Sequence, residues 1–228
     1  MFTLNQVVPW GRSFAEYLRM FALTEAELSL RIVGCGDGPA GFNAEATSRG
    51  ARIISFDPLY KWDAAQIQAR IAETYDEILD QTRRNAGEFV WETIRSVEEL
   101  GQVRMAAMRL FLDDYARGAN KGRYIAAELP TLPCADGAFD LALCSHFLFL
   151  YTSQLGEAFH REAIQEMCRV AREVRIFPLV ALGGGRSALV DGSVACLRDA
   201  GYNLTIETVP YEFQRGGNQM MRIRRRCG

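Results

Sequence analysis

The sequence predicts an α/β protein built on a mostly parallel sheet, and three observations carry that prediction. An apolar run, Arg31-Ile32-Val33, stops in a glycine cluster, Gly34-Cys35-Gly36-Asp37-Gly38, and resumes as a helix, which reads as strand, tight turn and helix N-terminus. A second apolar run from Arg52 to Phe56 closes on Asp57, about twenty positions beyond the glycines, the separation at which a βαβ unit aims a carboxylate at a ribose hydroxyl. At the far end, runs from Tyr202 to Val209 and from about Gln219 to Arg225 flank Gln214-Arg215-Gly216-Gly217 and predict an antiparallel hairpin.

The elements follow in order. Phe14, Tyr17, Leu18, Phe21 and Ala22 share one face of a helix running to Leu23 with Ser13 at its N-cap, and Thr24-Glu25-Ala26-Glu27 has the form of a capping box. After Asp57 the chain reads as helical for about sixty residues, too long for an ordinary connection. Ile67, Ile71, Tyr75 and Ile78 recur at helical spacing, Phe89, Val90, Ile94 and Val97 repeat it, and Ser96 caps a last helix carrying Met108, Phe111 and Tyr115 and ending before Gly118. A helical insertion over about 61–120, between the second and third strands, is expected. The third strand spans Arg123 to Glu128, the fourth Phe139 to His146 and the fifth Val174 to Ala181, with helices through Phe159–Val170 and Val194–Arg198 between and after them.

With 228 residues, 49% of them apolar, the chain suits one well-buried core, so residues 1–228 are read as a single domain. A formal net charge of −2 gives no general attraction to nucleic acid or to anionic membranes. No apolar run is long enough to span a bilayer and no charged-then-apolar leader opens the chain, so a soluble, cytoplasmic protein is expected. Cys35, Cys134, Cys144, Cys168, Cys196 and Cys227 form no C-x-x-C pair, so neither a zinc site nor a disulfide framework is indicated. The basic cluster from Arg222 to Arg226 reads as a solvated strand end.

The spacing of Gly34, Gly36 and Gly38 selects among nucleoside cofactors. A dinucleotide fingerprint would need glycine at position 39, which is Pro39, so a nicotinamide or flavin dinucleotide is disfavoured. Together with Asp57 the glycines resemble the cofactor site of the class I S-adenosylmethionine-dependent methyltransferases. Further along, Glu128, Leu132-Pro133 and Asp136-Gly137-Ala138-Phe139-Asp140 match in order and spacing the acidic residue, Leu-Pro pair and Asp-Gly-x-Phe-Asp turn common in that family.

The resemblance implies a three-layer αβα, Rossmann-like fold with a seven-stranded sheet, S-adenosylmethionine as cofactor and a small-molecule acceptor, nucleic acid not being the expected partner. It implies that Glu128 accepts from the adenine amino group, that the Leu129 backbone meets the ring edge, and that Cys35, Asp37, Pro58 and Ser145 join Gly34, Gly36, Gly38 and Asp57 around the cofactor. Asp140, at the start of its strand, is assigned to the turn. His146, at the carboxyl end of the fourth strand, is the candidate general base if the acceptor must lose a proton, with His160 second. Trp10, Arg12 and Tyr17 have two readings, core packing or surface solvation by default and the border of the cleft by the resemblance, and the insertion is assigned to its acceptor side.

The chain also departs from the family. Many members carry an acidic residue where this one has Ile32, and Cys144-Ser145-His146-Phe147 stands where amino-methylating relatives have Asn/Asp-Pro-Pro-Tyr. The alternative reading is therefore a cofactor-binding or scaffold protein that keeps the fold without turnover.

Overall fold

In the computed structural model, which describes residues 7–225, the apolar runs form seven strands of one sheet: β1 (Arg31–Cys35), β2 (Arg52–Phe56), β3 (Tyr124–Ile125), β4 (Phe139–Ser145), β5 (Ala171–Phe177), β6 (Tyr202–Thr208) and β7 (Gln219–Arg225). Their order is β3-β2-β1-β4-β5-β7-β6, parallel from β3 to β5, with β7 antiparallel between β5 and β6. Strand order reverses between β1 and β4, where an open α/β sheet leaves a crevice at its carboxyl edge. The glycine cluster and His146 both end there.

Among the described residues six α-helices accompany the sheet: α1 (Phe14–Met20), α2 (Phe42–Ser48), α3 (Ala64–Arg84), α4 (Val97–Asn120), α5 (Thr152–Val170) and α6 (Leu189–Asp199). The period-two alternation of the strands sorts their side chains into two layers. Val33, Ala142, Cys144 and Val174 pack with α5 and α6, whereas Ile32, Ile53, Leu141 and Leu143 pack with α1 and α2. A third cluster, including Ile67, Ile71, Met108 and Phe111, joins α3 to α4. Ser13 caps α1 through a reciprocal bond with Glu16, Asp63 caps α3 and Ser96 caps α4. Asp140 forms a paired contact with the Arg31 guanidinium (3.0 and 2.9 Å) and accepts the Arg31 backbone N–H, tying β1 to β4 at the edge away from the crevice.

Several boundaries differ from the sequence expectation. The segment holding Phe89, Val90 and Ile94 is not helical, because its backbone bonds to the β6–β7 connection: Val90 N–H donates to Phe213 C=O (2.8 Å), and the Phe89 and Phe213 rings stack at 5.0 Å. Tertiary pairing overrides the apolar period. Strand β3 has two residues rather than six, since its partner β2 ends at Phe56. Strand β5 begins at Ala171, directly after α5, and stops before Pro178, which has no N–H for the ladder. Helix α1 ends at Met20 rather than Leu23, with Ala22 at φ 46°, and α4 continues past Gly118 to Asn120. Arg226 and Cys227 lie outside the described residues. Among the described residues no helix is long and apolar enough to cross a membrane.

Candidate active site

The turn after β1 is held by three local contacts. Gly36 takes φ 72° and donates its N–H to Phe56 C=O (2.9 Å), and a Cβ at this position would stand 3.1 Å from the Phe147 ring. Asp57, just beyond β2, accepts Gly38 N–H on Oδ2 and Leu59 N–H on Oδ1, both at 2.8 Å. The Tyr60 hydroxyl donates to Gly38 C=O at 2.7 Å. Glycine is needed because the chain reverses in the left-handed region with side chains pressed against it.

Above this turn lies a cavity of about 250 Å³. Gly36, Asp37 and Gly38 line one side, Asp57 and Pro58 a second, and Glu128, Leu129 and Ser145 the remainder. Eight of the ten residues expected around a cofactor thus share one cavity. The other two do not reach it: Cys35 is fully buried in the core, and Gly34 lies under Asp37, where a Cβ would fall 1.7 Å from the carboxylate. Position 32, an acid in many proteins of the family this chain resembles, is a fully buried Ile32. The acid here comes from Asp37, folded back over Gly34, with the Tyr17 hydroxyl donating to Oδ1 (2.9 Å) and the Ser55 hydroxyl to Oδ2 (2.6 Å). Phe147 and Phe159 also line the cavity, and no motif in the sequence marks them.

Both carboxyls, the buried Asp37 and the half-buried Asp57, titrate high. Burial pushes Asp37 up to about 6 against the two hydroxyl bonds, with Asp57 adding to the rise. Burial likewise pushes Asp57 to about 6 against its two backbone bonds, with Glu128 adding. Asp37, Asp57 and Glu128 give this cavity an acidic wall, and Arg12 lines it at another point.

A second cavity, of about 100 Å³, adjoins the first, and His146, Arg12, Trp10 and Val8 line both. Its other walls come from Ile78 and Thr82 of α3, Leu100 of α4, and Phe89 and Phe213 of the paired loops. Helices between β2 and β3 therefore meet the open edge of the sheet. His146 has φ 51°, donates its backbone N–H to Phe177 C=O (2.7 Å) and sets Nδ1 3.0 Å from the Ser145 hydroxyl. Burial lowers its pKa well below the ordinary histidine value, and the Arg12 and Arg104 guanidiniums lower it further, so the imidazole is neutral at pH 7. His160 is elsewhere, buried between the carbonyls of Gly156 and Leu148.

Behind the second cavity lies an ion cluster that local sequence pattern does not mark. Arg104, fully buried on α4, donates from Nη1 to both oxygens of Glu16 on α1 (2.7 and 2.6 Å), and the Tyr211 hydroxyl donates to Glu16 Oε1 at 2.8 Å. Arg12 donates from Nη1 to Trp10 C=O (2.5 Å), and its Nε is buried without a partner, as are Nε and Nη2 of Arg104.

No protein-family model matches the chain. The chain is 34% identical to the uncharacterized protein MJ0045 of Methanocaldococcus jannaschii over 223 residues, covering 97% of this chain and 98% of that one. Among solved structures, mitomycin 7-O-methyltransferase MmcR aligns with 93% of this chain and 54% of its own, at 12% identity and a TM-score of 0.51. A 1,6-didemethyltoxoflavin-N1-methyltransferase of Burkholderia thailandensis aligns with 91% of this chain and 75% of its own, at 12% identity and a TM-score of 0.49. The strand order with its terminal antiparallel hairpin, and the likeness to the first of these structures, give the fold as that of the class I methyltransferases. The chain belongs to the family that includes MJ0045, and it has the Rossmann-like methyltransferase fold.

Proposed function

We propose that the chain is an S-adenosylmethionine-dependent methyltransferase acting on a small-molecule acceptor. The observation that carries this reading is the meeting of two chemically different cavities at one imidazole, with the glycine turn on one side and apolar walls on the other. The first cavity fits the cofactor. Its turn exposes main chain rather than side chain at Gly36 and Gly38, the Asp57 and Glu128 carboxylates match hydroxyl and amino donors, and the acidic wall suits a cationic sulfonium and ammonium. Bound there, S-adenosylmethionine supplies an activated methyl group.

The chain's own residues then have limited work to do. The apolar walls of the second cavity exclude water and hold an acceptor against the first cavity, which is catalysis by proximity. In the neutral tautomer whose Nδ1–H donates to the Ser145 hydroxyl, His146 offers Nε2 to take a proton from an acceptor that must lose one. The Asp57 carboxylate orients the cofactor while clamping the glycine turn.

Calorimetry with S-adenosylhomocysteine and with NAD tests the cofactor. S-adenosylhomocysteine is expected to bind, and Asp57→Asn to weaken it by about 1.5–3 kcal/mol, the range for a lost charge-assisted bond. Preferential binding of NAD would overturn the assignment, and cofactor binding with no turnover on any acceptor would favour the binding-protein alternative.

A further inference from the structure

The buried charges around the second cavity do not balance. Two guanidiniums, Arg12 and Arg104, share a single carboxylate, Glu16, and both bonds that Glu16 accepts from arginine come from Arg104. The other titratable groups beside the cluster, Tyr17, Tyr151, Tyr211 and His146, are all neutral at pH 7. Arg12 keeps its charge at neutral pH, since burial and Arg104 lower its pKa only to about 10. Arg12 as a whole is half-buried, but its Nε is shut off from solvent; a desolvated cationic edge without a counter-ion is costly, and guanidinium does not escape by losing its proton. Its Nη1 is spent on Trp10, while the Nε edge has no acceptor. That edge is the half of the fork that pairs side-on with a carboxylate.

We propose that the methyl acceptor is an apolar small molecule bearing one carboxylate, which Arg12 holds at the boundary between the two cavities. The proposal rests on reading the second cavity as the acceptor site. Ile78, Phe89, Leu100, Leu150, Leu182 and Phe213 enclose the apolar part of such a molecule. One surplus positive charge matches a monoanion. A phosphate dianion would bring a second, unpaired negative charge into the same apolar walls.

The experiment uses the full chain saturated with S-adenosylhomocysteine and a panel of probes, benzoate, phenylacetate and cinnamate, each beside its neutral amide. At least one carboxylate is expected to bind tenfold or more tightly than its amide, and Arg12→Met to erase that preference. Binding of a carboxylate is also expected to raise the His146 imidazole pKa in an NMR titration, because it neutralises a cation that depresses it; this readout needs no variant. Equal binding of acids and amides across the panel, or no binding by any acid, overturns the proposal. So does a loss of S-adenosylhomocysteine affinity in Arg12→Met with binding of 5′-methylthioadenosine unchanged, which would give Arg12 to the cofactor's own carboxylate. Failure of the cofactor reading is distinguishable, because it appears as absent S-adenosylhomocysteine binding in the wild-type chain while the acid-over-amide preference persists.

Discussion

The buried carboxyls Asp37 and Glu16 lie on opposite sides of the boundary between the two cavities, with the half-buried Asp57 beside Asp37, and their surroundings do opposite things to them. Beside the glycine turn, Asp37 and Asp57 have only hydrogen bonds to set against burial, and both rise to about 6. In the ion cluster, burial also pushes Glu16 upward, but the Arg104 and Arg12 guanidiniums and the Ser13 bond outweigh it and hold its pKa at about 2. Depth sets the size of the penalty, and the neighbours set its sign. One wall is thus left acidic and the other cationic, which sorts a cationic cofactor from an anionic acceptor before either makes a specific contact.

The comparison can be broken first where the cavities meet. His146→Ala is expected to slow methyl transfer by about 10²–10⁴-fold with cofactor affinity nearly intact, measured as kcat against S-adenosylhomocysteine binding. In the wild type the rate should hold through neutral pH and fall only well below the ordinary histidine range, as the imidazole gains its proton. A variant with full rate at every pH would leave proximity as the whole mechanism.

Next in size is the cluster itself. Glu16→Gln leaves two buried guanidiniums without a carboxylate, and a loss of about 3–5 kcal/mol is expected in urea unfolding. Because the folded pKa of Glu16 is depressed, its contribution is present above the unfolded carboxylate value and is lost as pH falls through about 2.

The smallest effect sharpens the contrast. Asp37 and Asp57 have raised folded values, so the stability they contribute is present in acid and is lost as pH rises through about 6. A cofactor that prefers their ionised forms should bind more weakly below that point, by about tenfold per pH unit for each carboxyl involved. Calorimetry with S-adenosylhomocysteine across this window checks it, and a flat profile would remove both groups from the cofactor site.

The cofactor side was legible because its parts are local. Gly36, Gly38 and Asp57 sit at the ends of two adjacent strands, and a strand end fixes where a residue emerges whatever the rest of the chain does. Glu128 and Leu129 follow instead from the resemblance to the methyltransferase motif, since β3 ends three residues earlier, at Ile125. Gly34 and Cys35 were included because a motif does not say which of its members point inward. The ion cluster behind the second cavity escaped because Arg104 and Tyr211 reach Glu16 across 88 and 195 residues, with no periodic signal to announce either meeting. Phe89, Val90 and Ile94 carry a helical period yet pair with the β6–β7 connection, so local pattern lost to a partner more than a hundred residues away.

The left-handed backbone at His146 limits which residues that position accepts. A non-glycine residue there costs about 1–2 kcal/mol, and only glycine, asparagine and aspartate visit the region with ease. Random substitution at the end of β4 is therefore filtered by conformation before chemistry is tested. Relatives that have lost the imidazole should show glycine, asparagine or aspartate rather than an even spread.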